Sequence, residues 1–245
     1  MKFIVDNLLD YGITITANDE DSFFPVTNLF IKTLADKWKT SSAGSKEVQI
    51  TLPETSSIKE IALVFHNLDS GDQVIIESYP DASGFAGTPI QQELTIRDGI
   101  IYWYSDTDYF HDTKYYKLLI EKNSGSYAEL GFLFMGVDYY YCPHIAGTMP
   151  RNETNSTTQE SRGFQNYPAI GESRKSQEFT FRSDKECYEN LFAIVQEYIL
   201  ISGIVLPTHN SLDDNEPFFG YISEMGDPSR DHLTYTYSIN TKESK

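Results

Sequence analysis

Short apolar runs, some alternating with polar residues and some continuous, recur through the first half of the chain. Residues 47–52 (EVQITL) alternate, whereas residues 59–66 (KEIALVFH) are almost continuously apolar, as in a strand buried on both faces. Turn-forming residues separate the runs, and Asp98-Gly99 is a strong hairpin signal. The pattern predicts six or seven strands, at residues 47–52, 59–66, 73–79, 92–96, 100–104, 115–121 and 127–135.

Short strands joined by turns, with no convincing helix between them, are typical of a sandwich or jelly roll. We expect this domain to span residues 1–136. Residues 17–42 form an opening loop with neither a helical nor a strand period, and we expect its Trp38 to plug one end of the core. The strands are expected to point five more side chains inward: Phe65, Ile75, Trp103, Leu119 and Phe132.

The rest of the chain divides into a polar segment and a second domain, in a protein that is mainly β. Residues 137–176 are expected to be an extended arm or linker. Few large apolar side chains occur between residues 151 and 177, so this part cannot fold alone and would order against a neighbouring molecule. Residues 177–245 begin with an alternating strand, continue through a capping box at Ser183 and Glu186 into an amphipathic helix, and end in three strands. This order predicts a small β-α-β-β-β domain of the α+β class.

The formal charge of −17 is shared by both halves of the chain and leaves no basic footprint for nucleic acid. An acidic surface serves solubility or docking to a basic protein. No apolar run approaches membrane-spanning length, so we expect neither a nucleic-acid nor a membrane partner. Cys142 and Cys187 match neither a zinc site nor a redox pair, and free thiols are favoured over a disulfide.

Motifs of catalysis and metal binding are missing from the sequence. The five histidines never come within ligand spacing of one another, and GxSxG, HExxH and phosphate-binding glycine loops do not occur. We therefore expect no enzymatic activity, no cofactor and no metal. Acidic clusters at residues 19–21 and 213–216 leave a calcium site as the alternative to solvated loop acids. A hydrolase of cell-wall sugar would need paired carboxylates in a cleft, and no pair is singled out.

Aromatic groups are the best surface candidates, because exposed Tyr and Trp favour contacts with proteins or sugar rings. The alternative is that they cap the edges of the sandwich. For a sugar, the candidates are Trp103 and Tyr104 with His111, or Tyr79 with the loop at residues 80–89. The predicted contact residues for a partner or glycan are Trp103, Tyr104, Phe110, Tyr139, Tyr140, Tyr141, Phe164 and Tyr167.

Several segments carry a family resemblance. Residues 17–19 (AND), 24–29 (FPVTNL) and 36–40 (DKWKT), followed later by strands at 115–120 and 129–136, resemble discoidin or galactose-binding-like jelly rolls. With a second domain attached, the chain is most similar to bacteriophage tail-tip and minor tail proteins. Residues 171–174 (GESR) and 219–222 (FGYI) also resemble the C-terminal portions of siphophage tail proteins.

The resemblance implies a structural component of the tail tip, distal ring or baseplate region, which acts by protein–protein assembly. Its partners would be the tail tube, distal ring or hub and further copies of the chain in a symmetric homo-oligomer. The protein would be made in the host cytoplasm and located in the virion. The alternative is a carbohydrate-binding adhesion module of the virion that contacts glycans on the host surface.

Overall fold

Antiparallel strands form most of the described backbone. The computed structural model describes residues 2–4, 7–10, 12–31, 36–80, 82, 84–97, 99–105, 107–123, 125–137, 140–141, 149–160, 166–183, 185, 188–189, 202–206, 218–226, 228–231 and 234–243. The strands up to residue 136 are β1 (Lys2–Ile4), β2 (Thr14–Ala17), β3 (Trp38–Lys39), β4 (Gly44–Ser56), β5 (Glu60–His66), β6 (Gln73–Ser78), β7 (Ile90–Leu94), β8 (Ile100–Tyr104), β9 (Thr113–Lys122) and β10 (Glu129–Gly136). The later strands are β11 (Tyr140–Tyr141), β12 (Met149–Glu160), β13 (Asn166–Ser183), β14 (Ser202–Leu206), β15 (Phe218–Met225), β16 (Ser229–Asp231) and β17 (Thr234–Glu243). Two 3₁₀ helices span Leu8–Asp10 and Val26–Phe30.

The chain divides into two compact units. The sandwich unit, Asp6–Tyr139, contains β2 to β10, and the second unit combines Met1–Val5 with Tyr140–Lys245. The sequence-based boundaries at residues 136 and 176 differ from this division. The reason is that β1 pairs with β11 and β14, and that residues of the predicted linker form β12 and β13 of the second unit. Pairing between strands this far apart in the sequence cannot be predicted from local sequence patterns.

The sandwich unit consists of two antiparallel sheets. The five-stranded sheet has the order β2-β4-β9-β6-β7, and the four-stranded sheet has the order β3-β10-β5-β8. From β4 to β10 the chain changes sheet at every step except between β6 and β7. The mainly β, jelly-roll class predicted from the sequence is confirmed, and each predicted strand corresponds to one of β4 to β10.

Alternate residues of the strands fill the core between the sheets. Ile75 and Leu119 were expected to point inward, yet both are only partly buried. The residues that point into the core lie one position away from those expected. The sequence does not separate them, because neighbouring residues in these runs are equally apolar. The core residues of β4, β6 and β9 are Val48, Ile50, Leu52, Val74, Ile76, Tyr116, Leu118 and Ile120.

The other three expected core residues have different environments. Trp103 is partly buried and packs against the core, whereas Phe132 is buried on the face of β10 opposite to Leu133. Phe65 is half-buried and has a φ of 59°, a left-handed conformation that is strained for a residue with a side chain. A Cβ atom at Gly131 would lie 2.9 Å from the Phe65 Cβ, so this contact requires glycine.

Trp38 is fully buried in the core, as predicted. Its strand, β3, pairs with β10 at Leu130. The loop before it is held in place because the Asn28 side chain donates to the Lys37 carbonyl at 2.9 Å. The Trp38 indole Nε1 has no hydrogen-bond partner among the described residues.

The described strands of the second unit form an eight-stranded antiparallel sheet with the order β11-β1-β14-β15-β17-β13-β12, and β16 pairs with β17. β12 pairs with β13 from Met149 opposite Glu178 to Glu160 opposite Asn166, but β13 pairs with β17 only at residues 176–183. Residues 152–160 and 166–175 therefore extend past β17 as a two-stranded hairpin, about 30 Å long at the usual rise per residue. We call these residues the hairpin arm.

Most of the predicted helix after Ser183 lies outside the described residues. Lys185, Tyr188 and Glu189 have helical backbone conformation, and the Tyr188 ring stacks on Tyr235 of β17 with 4.8 Å between centroids. The segments containing Cys142 and Cys187 also lie outside the described residues. Within the described ranges, no helix is long and apolar enough to cross a membrane.

Candidate functional site

Three loops meet at one end of the sandwich unit, which we call the aromatic end. The strand pairs that finish there end at Ser56 with Thr113, Ser78 with Ile90, and Glu60 with Tyr104. The loops beyond these pairs span residues 57–59, 79–89 and 105–112. Both sugar-binding candidates from the sequence, Trp103 with Tyr104 and His111 and Tyr79 with its loop, therefore lie at the same end.

Four aromatic rings lead from the core to the surface of the aromatic end. Tyr116 is fully buried, and its ring contacts Phe110 edge-on with 6.2 Å between centroids. Phe110 in turn contacts Trp103 at 5.1 Å and Tyr109 at 5.1 Å. Tyr109 also packs edge-on against Trp103 at 5.6 Å, and its side chain is the outermost, with 41% exposed. One exposed ring thus rests on a buried aromatic base.

Polar groups fix the exposed ring and border it. The Tyr109 hydroxyl donates to the Gln91 carbonyl of β7 at 3.1 Å, which ties the loop to the edge of the five-stranded sheet. The neighbouring Asp108 carboxylate lies 3.3 Å from the Lys59 ammonium group. An apolar ring face beside a carboxylate and an ammonium group can bind a ligand that has both an apolar face and hydroxyl or charged groups.

His111 and Tyr104 have structural contacts at the same end. The His111 backbone N–H donates to Ser78 Oγ at 3.1 Å, and its carbonyl accepts from the Tyr116 hydroxyl at 3.2 Å. Burial raises the pKa of Tyr116 well above that of a free tyrosine, so this hydroxyl remains a donor. The Tyr104 ring stacks on Tyr102 with 5.9 Å between centroids.

The second sugar candidate, Tyr79, is closed off by its own loop. Phe85 from that loop packs on Tyr79 at 6.0 Å and on Tyr115 at 5.2 Å, leaving Tyr79 buried. The Tyr79 hydroxyl donates to Glu77 at 2.6 Å, and the Lys117 ammonium lies 5.0 Å from the Tyr79 ring centroid. Burial and the hydrogen bond to Glu77 raise the pKa of Tyr79. Tyr79 is thus engaged within the protein in this conformation.

The predicted contact residues have separate positions. Trp103 and Tyr104 are partly buried at the aromatic end, but Phe110 requires correction because it is a core residue with 4% exposure. Its neighbour Tyr109, which is not among the predicted contact residues, is the exposed ring. Side-chain chemistry favours Tyr109 over Phe110 as the exposed ring, since a tyrosine hydroxyl tolerates water better than a phenylalanine ring edge.

The other predicted contact residues belong to the second unit or border it. Tyr140 and Tyr141 form β11, which pairs with β1, and Tyr167 lies opposite Gln159 in the hairpin arm. Tyr139 and Phe164 lie outside the described residues. Their role in contacts stays a prediction.

The acids of the opening loop bind separate partners. Asp19 lies 2.5 Å from the Lys46 ammonium, Glu20 accepts from the Val26 N–H at 2.8 Å, and Asp21 accepts from the N–H of residue 23 at 2.9 Å. Among the described residues, no group of three or more His, Cys, Asp or Glu side chains is arranged to hold a metal ion. The cluster at residues 213–216 lies outside the described chain.

The structural similarities fall on carbohydrate-related proteins, whereas no protein-family model and no curated protein matches the chain. The family 32 module of NanJ from Clostridium perfringens, solved with galactose, is 15% identical over 57% of this chain and 100% of the module, with a TM-score of 0.44. The CpGH89CBM32-5 module from the same organism, solved with GalNAc-β-1,3-galactose, is 12% identical over 53% of this chain and 99% of the module, with a TM-score of 0.44. A GH29 fucosidase from Ruminococcus gnavus, solved with fucose, is 14% identical over 54% of this chain but only 27% of the enzyme, with a TM-score of 0.44. Likeness of this extent carries no argument about a ligand or an activity.

Proposed function

We propose that the chain is a non-enzymatic structural subunit of a bacteriophage tail, in the tail-tip, distal-ring or baseplate region, and that it acts by protein–protein assembly. The observation that carries the proposal is the hairpin arm, whose two strands pair with each other beyond the last residue that pairs with β17. The resemblance of residues 171–174 and 219–222 to the C-terminal portions of siphophage tail proteins supports the choice of particle.

The arm has the physical properties of an assembly element. An isolated two-stranded hairpin is marginally stable in water, and the arm sequence contains few large apolar residues to stabilise it. Contact with a neighbouring molecule would offset the entropy cost of ordering the arm by forming new interface. An element that is weak alone and extended is therefore best used between molecules.

The proposed partners are other tail proteins, namely the tail tube, distal ring or hub, together with copies of this chain. The formal charge of −17 suits docking to basic surfaces on those proteins and opposes contact with nucleic acid. The proposed location is the virion tail, after synthesis in the host cytoplasm.

Trypsin cleavage of free and assembled protein tests the assembly role. Arg174 and Lys175 in the arm should be cut rapidly in the free chain and at least about tenfold more slowly in the assembled tail, because local opening precedes cleavage. The matched control is Arg97, an exposed site in the sandwich unit. Equal protection factors at the arm and control sites would contradict the proposal, as would absence of the chain from purified virions by mass spectrometry.

A second candidate function is glycan adhesion at the aromatic end, favoured by the exposed Tyr109 ring beside Asp108 and Lys59. Sugars present an apolar ring face and hydroxyl groups, which match an aromatic platform with polar groups beside it. Under this alternative the sandwich unit would bind host-surface glycans while the second unit joins the particle.

A glycan array followed by titration of any hit tests this alternative. Tyr109→Ala should weaken binding at least about tenfold, since it removes the exposed ring of the platform. Phe23→Ala is the matched control, because that ring is 84% exposed but lies in the opening loop. An array without hits, or equal losses in the two variants, would exclude the aromatic end as a glycan site.

A further inference from the structure

The outer edge of β12 has no partner among the described strands of the second unit. β12 is the last strand in the order of the eight-stranded sheet, and β13 is its partner among the described strands. Residues 154–159 (TNSTTQ) contain no charged residue and no proline. Natural edge strands are usually blocked by lysine, proline or a bulge, because a row of open N–H and C=O groups recruits further strands. The edge of β12 therefore suits strand pairing.

The corresponding edge of β13 in the hairpin arm contains features that disfavour strand pairing. Pro168 has no backbone N–H to donate, and the register shift opposite residues 154–156 places the extra residue of a β-bulge on β13, near Gly171. Arg174 and Lys175 add positive charge close to the bulge. The contrast between the two edges identifies β12 as the side on which a partner strand is accommodated.

Addition of one further hairpin would remove the weakness of the arm. Three or more strands are needed for independent stability of a small sheet, and the arm has two. Pairing of β12 with β12 of another copy would join two hairpin arms into a four-stranded sheet. A second copy of the chain can therefore supply the strands that stabilise the arm.

We infer that the occupant of this edge is β12 of a second copy of the chain, paired antiparallel about a two-fold axis at Thr157. Hydroxyl and amide side chains opposite each other stabilise antiparallel strands. The contact is isologous and therefore closes at two copies. The register produces the following pairs between copies: Ser156 with Thr158 and Asn155 with Gln159.

The acidic residues of β12 fit this register. An axis half a residue away, between Ser156 and Thr157, would place Glu153 directly opposite Glu160. Like charges directly opposite each other destabilise a sheet, whereas the axis at Thr157 separates the two acids. The inference rests on the proposed assembly function and names a second copy as a neighbour of the arm.

Sedimentation of the full chain over a range of concentrations tests the interface. Thr157→Lys places two ammonium groups together at the axis and should weaken dimerisation roughly tenfold. Thr157→Val keeps a β-branched residue and should change the dissociation constant by less than about threefold. Circular dichroism and thermal unfolding should be the same for both variants, which separates loss of association from loss of folding.

Disulfide cross-linking tests the position of the axis. Thr157→Cys, in a Cys142→Ser/Cys187→Ser background, should give a covalent dimer under mild oxidation, because Thr157 faces its own copy. The control is Thr16→Cys, an exposed position on the edge strand β2 of the sandwich unit, which should remain monomeric. Equal cross-linking at the two positions would overturn the inference.

The outcomes distinguish this interface from the proposed function. A chain that is monomeric at all concentrations, or a dimer unaffected by Thr157→Lys, overturns pairing through β12. If arm protection in the tail persists in that case, the assembly function stands with another partner. If the dimer forms as described but the chain is missing from virions, the interface stands and the tail function fails.

Discussion

The two ends of the sandwich unit differ in chemistry although the same strands lead to both. At the end opposite to the aromatic end, which we call the charged end, buried Lys122 lies 2.6 Å from buried Asp72. Lys37 also lies 2.5 Å from Glu129 there. At the aromatic end, packed rings extend to the exposed Tyr109.

The difference suggests separate roles, in which the charged end stabilises the unit and the aromatic end contacts other molecules. Each buried charge of the charged end has its partner within the unit, so that these groups fix loops and offer little to another molecule. The aromatic end leaves a ring face in water, where stability gains little from it and a ligand could gain more. Substitutions at the charged end should therefore affect unfolding, and those at the aromatic end should affect binding.

The largest expected effect is from Trp38→Ala. Removing this fully buried ring should lower the unfolding free energy of the sandwich unit by roughly 3–5 kcal/mol, because the cavity cannot collapse completely. Urea unfolding followed by Trp103 fluorescence measures the loss, since the chain has two tryptophans and Trp103 remains. A loss below about 1 kcal/mol would contradict the role of Trp38 in the core.

Breaking the buried ion pair should come next. Asp72→Asn removes the charge that faces Lys122 and should cost about 3 kcal/mol, because a buried ammonium group loses its main counter-charge. The matched control is Asp72→Leu with Lys122→Met, which removes both charges and should cost much less. If the double variant is as unstable as the single one, side-chain packing rather than the ion pair stabilises the charged end.

Low pH should reduce the stability that the charged end gives to the sandwich unit. Burial acts to raise the pKa of Asp72, but hydrogen bonds from Lys122 and from backbone N–H groups outweigh it and hold this pKa below its usual value. The stability from a depressed pKa is complete above the unfolded value of about 3.9 and is lost as pH falls through the folded value. The urea midpoint should therefore change little between pH 6 and about pH 4 and fall as the pH is lowered further.

The same acid titration of the Asp72→Leu/Lys122→Met variant is the control. It should lose less stability over this range, while Asp19, whose pKa is also lowered by hydrogen bonds from Lys46 and Ser41 against the effect of burial, still contributes. Identical pH profiles for the two proteins would exclude the Asp72 pair as a source of the acid sensitivity.

The smallest effect on stability should come from Tyr109→Ala. Its ring is partly exposed and rests on Trp103 and Phe110, so we expect a loss of about 1 kcal/mol or less. Thermal unfolding measures this change beside the binding assays. A loss comparable to that of Trp38→Ala would show that the two ends do not divide stability and contact as described.

Strand positions could be predicted from the sequence, but the side facing the core could not. The period of apolar residues located β4 to β10. The run Val74–Ile75–Ile76 in β6 is apolar at every position, so hydrophobicity does not decide whether Ile75 or its neighbours point inward. The decision is made by register with β9 and β7, which the local pattern does not contain.

The candidate surfaces were predicted in part for similar reasons. Tyr109 and Phe110 are consecutive aromatic residues in a loop, where no alternation shows which ring faces water. The hydroxyl contact that fixes Tyr109 depends on β7 lying beside it. The hairpin arm has no apolar alternation at all, so its backbone pairing could not be read from residues 149–183.

The pairing of β1 with β14 also sets an order in time. Ile4 lies opposite Ile204, so this contact cannot form until residues 202–206 have left the ribosome. The sandwich unit, complete at residue 139, can fold earlier by an interval on the order of 3–13 s at usual rates of synthesis. During that interval β1 lacks its partner β14, which has not yet been synthesised. A rare codon after residue 139 would lengthen this stage, and a chaperone acting then would protect it.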